Sequence, residues 1–163
     1  MFKTGAKVTG EKERDYWQTP PHLLAIVNEF YGGSWFDPCP ASPTFDGLSC
    51  DWGERAYINC PFSELLLWAK HGLTQAGEQI WICHHAHDRK WFRLLVSNSN
   101  AMIMLKDRIR FIDPKSDLAK ATMPGACQSL LYRGHRPRAF LQAFDDVAII
   151  SLTLKQPATE ATS

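Results

Sequence analysis

A short apolar run, Ala56-Tyr57-Ile58, stops at Asn59-Cys60-Pro61-Phe62, and an apolar stretch of another kind, Leu65-Leu66-Leu67-Trp68-Ala69, follows Ser63-Glu64. The first run reads as a buried strand and the second as a helix with Ser63 at its N-cap. A strand that hands over to a helix through a rigid turn is the building unit of an α/β sheet. It also sets the turn at the carboxyl end of the strand, where open α/β sheets carry their chemistry. The side chain of Asn59 can accept a hydrogen bond from an exocyclic amine, and the carbonyl of Cys60 can accept a second. Pro61 holds that carbonyl in one direction, and the Phe62 ring offers a face to a flipped base. Together these groups suit methyl transfer to an amino nitrogen.

The rest of the chain repeats the alternation. Helices are expected over Pro20 to Tyr31, stopped by Gly32-Gly33, over Ser63 to Ala76, over Arg89 to Ser97 and, briefly, over Ala139 to Phe144. Strands are expected at Ser34 to Asp37, Ala56 to Asn59, Gln79 to Cys83, Ala101 to Leu105, Gln128 to Tyr132 and Val147 to Leu154. Pro38 to Arg55 and Ile112 to Gly125 read as loops. Strands alternating with helices predict an α/β fold with a mainly parallel sheet covered by helices on both faces. One domain is expected over residues 16–155, with a charged, flexible leader at 1–15 and a polar, disordered tail at 156–163.

A net charge of +1 excludes a generic polycation, so any nucleic-acid surface must be local. No apolar run reaches the ~18 residues of a membrane span, and Met1 to Lys12 lacks the apolar core of a signal peptide. The expectation is a cytoplasmic protein with no membrane partner. Its five cysteines are odd in number and show no CxxC spacing, which predicts free thiols.

The order of short motifs resembles the phage-type Dam family of DNA N6-adenine methyltransferases. The motifs are Trp17-Gln18-Thr19-Pro20, Phe36-Asp37-Pro38-Cys39, Asp46-Gly47-Leu48, Asp51-Trp52, Asn59-Cys60-Pro61-Phe62-Ser63, Lys90-Trp91-Phe92 and Leu105-Lys106-Asp107-Arg108-Ile109-Arg110-Phe111. The resemblance implies a Rossmann-like class I methyltransferase fold, S-adenosylmethionine as cofactor and DNA as substrate, in a phage or prophage protein. It implies Asn59, Cys60, Pro61 and Phe62 as catalytic residues. It implies Trp17, Thr19, Pro20, Asp37, Cys39, Asp51 and Ser63 as cofactor-binding residues. An acid at Asp37, in the loop after the first strand, can hold the ammonium of a methionyl group; the same residue can instead cap a turn.

The chain departs from the family pattern at two places. Cys60 stands where the family has proline, and His84-His85-Ala86-His87 stands where the family carries an apolar residue and a Pro-Ala pair. The histidines with Cys60 raise a zinc reading, but there is no CxxC and no spaced HxxxH, and no metal is expected. Two basic clusters, Arg108, Arg110, Lys115 and Lys120, and Arg133, Arg136 and Arg138, are candidates for phosphate contact, the first together with Lys90. Two other functions stay open. Cys60 can be a nucleophile that adds to a pyrimidine ring, or the fold can be a decayed module that binds nucleic acid or a partner without catalysis. Methylation of cytosine N4 uses nearly the same amine chemistry as adenine N6.

Overall fold

Residues 17–113 and 126–154 are described by the computed structural model. The leader at 1–15, the tail at 156–163, most of the loop at 112–125, and with it Lys115 and Lys120, lie outside the described residues.

The first helix, α1, spans Pro21–Tyr31, with proline in its first turn. It ends where the N–H groups of Gly32 and Gly33 reach back to the carbonyls of Glu29 and Asn28. Both glycines have positive φ, 75° and 92°, which closes the helix at no steric cost. The strand expected at Ser34 to Asp37 shrinks to one parallel bridge, Phe36 to Ala56. Pro38 and Pro40 have no N–H to continue the ladder.

Five strands follow: β1 (Arg55–Ile58), β2 (Glu78–His84), β3 (Ala101–Leu105), β4 (Gln128–Arg133) and β5 (Ala148–Thr153). Between them lie α2 (Leu65–Gly72), α3 (Lys90–Ser97) and α4 (Pro137–Ala143). A single 3₁₀ turn, Phe62–Glu64, precedes α2. Ser63 therefore sits inside that turn and is not the N-cap of α2, which is Glu64. The turn starts early because Pro61 sets φ at −50° at its head.

The sheet is mixed, in the order β1-β2-β4-β3-β5. Only β1 and β2 pair in parallel; β2–β4, β3–β4 and β3–β5 are antiparallel. This corrects the mainly parallel sheet expected from the alternation. The reason is topological. The α3 crossover carries β2 to β3 in the same sense but one place too far, and β4 fills the gap in the opposite sense. The α4 crossover then carries β4 over β3 to β5, again in the same sense. Consecutive strands mostly agree in direction, while neighbours mostly do not.

Helices cover both faces, as expected. On one face α1 and α4 bring Leu23, Val27, Phe30, Phe140 and Phe144 against Tyr57, Ile80, Ile82, Ile103, Leu130 and Tyr132. On the other, α2 and α3 bring Leu65, Trp68, Phe92 and Leu95 against Ala56, Ile58, Trp81, Cys83, Met102 and Leu131. The strand residues of the two sets alternate, as the pleat requires. At the far edge β5 leaves Ile149, Ile150 and Leu152 exposed.

At the amino ends of β1 and β2, Glu78 gathers a polar knot. It accepts hydrogen bonds from the Tyr132 hydroxyl and from Arg136 Nε and Nη2, the latter two at 3.2 Å. Arg136 also donates to the Phe30 carbonyl and lies 4.4 Å above the Phe30 ring. Arg133 donates to the carbonyls of Gly72 and Gln75. Two members of the second basic cluster are thus internal ties; only Arg138 of the three is exposed.

Candidate active site

Strands β1, β2 and β3 run in one sense and β4 in the other. The ends of β1 and β2, the segment after β3 and the start of β4 therefore meet at one edge of the sheet. That edge collects Asn59 to Phe62, His84 and His85, Arg108 to Phe111, and Gln128. The bridge from Phe36 to β1 brings Asp37 to the same edge.

The Asn59 amide is oriented by its surroundings. Its Nδ2 donates to the Trp17 carbonyl at 2.8 Å and to Thr19 Oγ1 at 3.3 Å. A carbonyl oxygen only accepts, so the amide nitrogen must face Trp17 and Oδ1 is the end left to present. Thr19, buried, shares a further hydrogen bond with the Tyr57 hydroxyl at 2.9 Å. Gln18 pairs with Ile112 in an antiparallel bridge that ties this segment to the loop after β3. Pro20 serves as the N-cap of α1. Trp17 and Thr19 are thereby brought to Asn59 itself, with Pro20 next in the chain.

Phe62 lies half-buried against two other rings: its centroid is 4.1 Å from that of His84 and 6.0 Å from that of Phe111. His85 points to the other face of the sheet, where its Nδ1 meets Ser129 Oγ at 2.9 Å and its ring meets Phe92 edge-on. Gln128, fully buried, accepts from the Ile109 N–H and donates to the Ala126 carbonyl, which fixes the chain leading to Phe111. Nothing in the sequence singled out Gln128, Tyr57 or Ser129; each acts through a partner distant in the chain.

Asp37 is half-buried and its Oδ1 accepts the Cys39 N–H at 2.8 Å, so it does cap a turn. Burial pushes its carboxyl above the usual range, and the Cys39 N–H pulls less strongly the other way. Cys39 is half-buried, and burial above all, then the neighbouring Cys60, Asp37 and Cys50, pushes its thiol up. Cys60 is 2 % exposed, in the apolar layer with Trp68, Cys83 and Phe92.

Asp51 is not part of this group. Its Oδ1 caps the Gly53 N–H, and with Glu54, Glu78 and His135 it lines a hollow of about 550 Å³ at the opposite end of β1. Lys90, Arg108 and Arg110 are exposed on the site edge, where Arg89, Arg93 and Lys106 join them. Among the described residues no group of three or more His, Cys, Asp or Glu side chains is arranged to hold a metal ion.

A family profile described as DNA N-6-adenine-methyltransferase (Dam) matches residues 6–151 of the chain. No curated protein and no solved structure matches it.

Proposed function

Since the chain belongs to the DNA N-6-adenine-methyltransferase (Dam) family, we propose that it transfers a methyl group from S-adenosylmethionine to the N6 amine of adenine in DNA. The observation that carries this reading is the Asn59 amide at the end of β1, whose nitrogen is held by the Trp17 carbonyl and Thr19 Oγ1 so that its acceptor oxygen is the end left to present. Such an acceptor suits a donor of the exocyclic amine type. The Cys60 carbonyl supplies the second acceptor, and the adenine ring stacks on Phe62 after leaving the duplex. The two acceptors favour a pyramidal amine nitrogen over one conjugated with its ring, and they do so by position and fixed dipoles.

The residues at the edge fit the cofactor's charge. The Asp37 carboxyl is raised by burial, and among the described residues no cation pairs with it. A ligand ammonium would offset that desolvation. When bound, S-adenosylmethionine supplies an electrophilic methyl group on a sulfonium. Asp37, with the backbone near Thr19, Pro20 and Cys39, would hold its methionyl end. Lys90, Arg108 and Arg110, with Arg89, Arg93 and Lys106, form the rim that meets phosphates.

Asp37→Asn separates binding from folding. A carboxyl whose folded pKa is raised keeps a proton that the unfolded chain has lost. Stability therefore falls as pH climbs through that window, and the ionised form is a net cost above it. Asn retains the acceptor for the Cys39 N–H and has no charge. The variant should unfold at higher urea than the wild type at neutral pH, with the gain vanishing in acid. Its Kd for S-adenosylmethionine, read by calorimetry, should rise by about 10- to 100-fold, the scale of a charge-assisted hydrogen bond. An unchanged Kd would leave Asp37 as a turn residue alone.

Phe62→Ala should weaken binding of the extruded base by about 1–3 kcal/mol, the scale of an aromatic stack. The fluorescence of 2-aminopurine at the target position reports it, and equal signals for both proteins would make Phe62 a core residue. The function itself is tested by incubating the protein with labelled S-adenosylmethionine and unmodified DNA, then analysing nucleosides. N6-methyladenine is the expected product. N4-methylcytosine, or no labelled nucleoside, overturns the reading.

A further inference from the structure

His84 opens the segment in which this chain departs from the family pattern, and its setting is unusual. It is the last residue of β2 and shares the face of Ile80 and Ile82, opposite to that of His85. Among the described residues two buried side-chain nitrogens have no hydrogen-bond partner, Trp68 Nε1 and His84 Nδ1. An unpaired buried polar atom costs stability and calls for a reason in the site it borders. For His84 that site is the Phe62 ring, 4.1 Å away between centroids.

The tautomer follows from the burial. A sealed nitrogen tolerates an unused lone pair better than an unused N–H. Nδ1 is therefore the bare nitrogen, and Nε2, which is not sealed in this way, carries the proton. Burial also lowers the affinity of the ring for a second proton, which keeps the imidazole neutral. The result is a fixed neutral donor next to the ring on which a base would stack. Phe62 supplies the stacking face, Asn59 supplies an acceptor, and His84 supplies the complementary donor.

Resting on the methyltransferase reading, we propose that His84 is a base-reading residue, whose Nε2–H donates to an unprotonated ring nitrogen of the extruded base. An amine donor beside a ring acceptor is the pattern of adenine and cytosine. Guanine and thymine carry a ring N–H on that edge and would set donor against donor. His84 thus selects amino bases from keto bases, at the same point where Asn59 demands an amine.

The test pairs a variant with altered bases. DNA carrying adenine, 1-deazaadenine, 3-deazaadenine or 7-deazaadenine at the target position is measured for binding by anisotropy and for methyl transfer in single turnovers. The proteins compared are the wild type, His84→Leu and His84→Gln. For 1-deazaadenine, which lacks the ring nitrogen beside the amine on that edge, the wild type should lose about tenfold in binding, the scale of one hydrogen bond, and a penalty confined to 3-deazaadenine or 7-deazaadenine overturns the proposal. His84→Leu should bind adenine about tenfold more weakly and be indifferent to 1-deazaadenine, and His84→Gln, which keeps a donor, should recover part of the loss. Calorimetry should give the same cofactor Kd for all three proteins. An analogue penalty of equal size in wild type and His84→Leu overturns the proposal and makes His84 only a support for Phe62. A wild type that binds DNA with the analogue pattern but transfers no methyl overturns the methyltransferase reading and leaves His84 as a reader. Absence of any binding overturns both.

Discussion

Asn59→Ala should slow methyl transfer on the order of 100-fold, because about 3 kcal/mol of transition-state stabilisation goes with one such acceptor. The side chain is held at its donor end by Trp17 and Thr19, which leaves Oδ1 as the acceptor that the substitution removes. Asn59→Asp should fare no better: it would turn a carboxylate oxygen toward the Trp17 carbonyl, acceptor against acceptor. Affinity for S-adenosylmethionine should change little, since Asn59 addresses the amine. Single-turnover rates with labelled cofactor, alongside calorimetry, separate the two effects. A variant that turns over at the wild-type rate removes Asn59 from the mechanism.

Glu78→Ala is expected to cost about 3 kcal/mol of folding stability, the low end for breaking a buried pair from one side. Glu78 has a side chain 10 % exposed and its partner Arg136 one 32 % exposed, so water screens part of the loss. The substitution leaves Arg136 without its carboxylate and the Tyr132 hydroxyl without its acceptor, and the knot it unties joins α1, β2, β4 and the start of α4. Glu78→Gln keeps an acceptor for Tyr132 and should lose roughly half as much. Urea unfolding reads both. Because the knot is at the opposite end of β2 from His84, the folded fraction should retain cofactor affinity. A midpoint unchanged in Glu78→Ala would mean that the ion pair contributes nothing net.

The strand end at Asn59 and the helix after it were legible because hydrophobic period and proline act within a few residues. The order of the strands was not. Alternation of strand and helix sets the sense of successive strands, and here the α3 and α4 crossovers each step over a strand that belongs to the other. The anchor of Asn59 was invisible for a different reason: a backbone carbonyl at Trp17 has no side-chain signature. Arg133 and Arg136 read as a surface patch because their partners, Gly72 and Glu78, lie 61 and 58 residues away in the chain. Asp37 allowed both of its readings, and the Cys39 N–H bond satisfies the turn reading without using up the carboxylate. Ser63 was displaced from its expected cap by Pro61, whose ring starts the turn sooner than the apolar pattern does.

The place of β4 governs when the sheet can exist at all. It is the middle strand, yet it is the fourth to be made, and β3 has as its only neighbours β4 and β5. A growing chain that has not yet reached Gln128 can join β1 to β2, but β3 must wait with both flanks bare. The segment 128–153, which carries β4, α4 and β5, then closes the sheet from its centre and its edge together. Assembly of this kind needs contacts between distant parts of the chain before any local reward, which makes folding slow for its size. It also leaves nascent chains with open strand flanks during synthesis. The edge that carries Asn59, Phe62 and His84 takes its final wall from Gln128, so that edge is completed with the last strands and not before them.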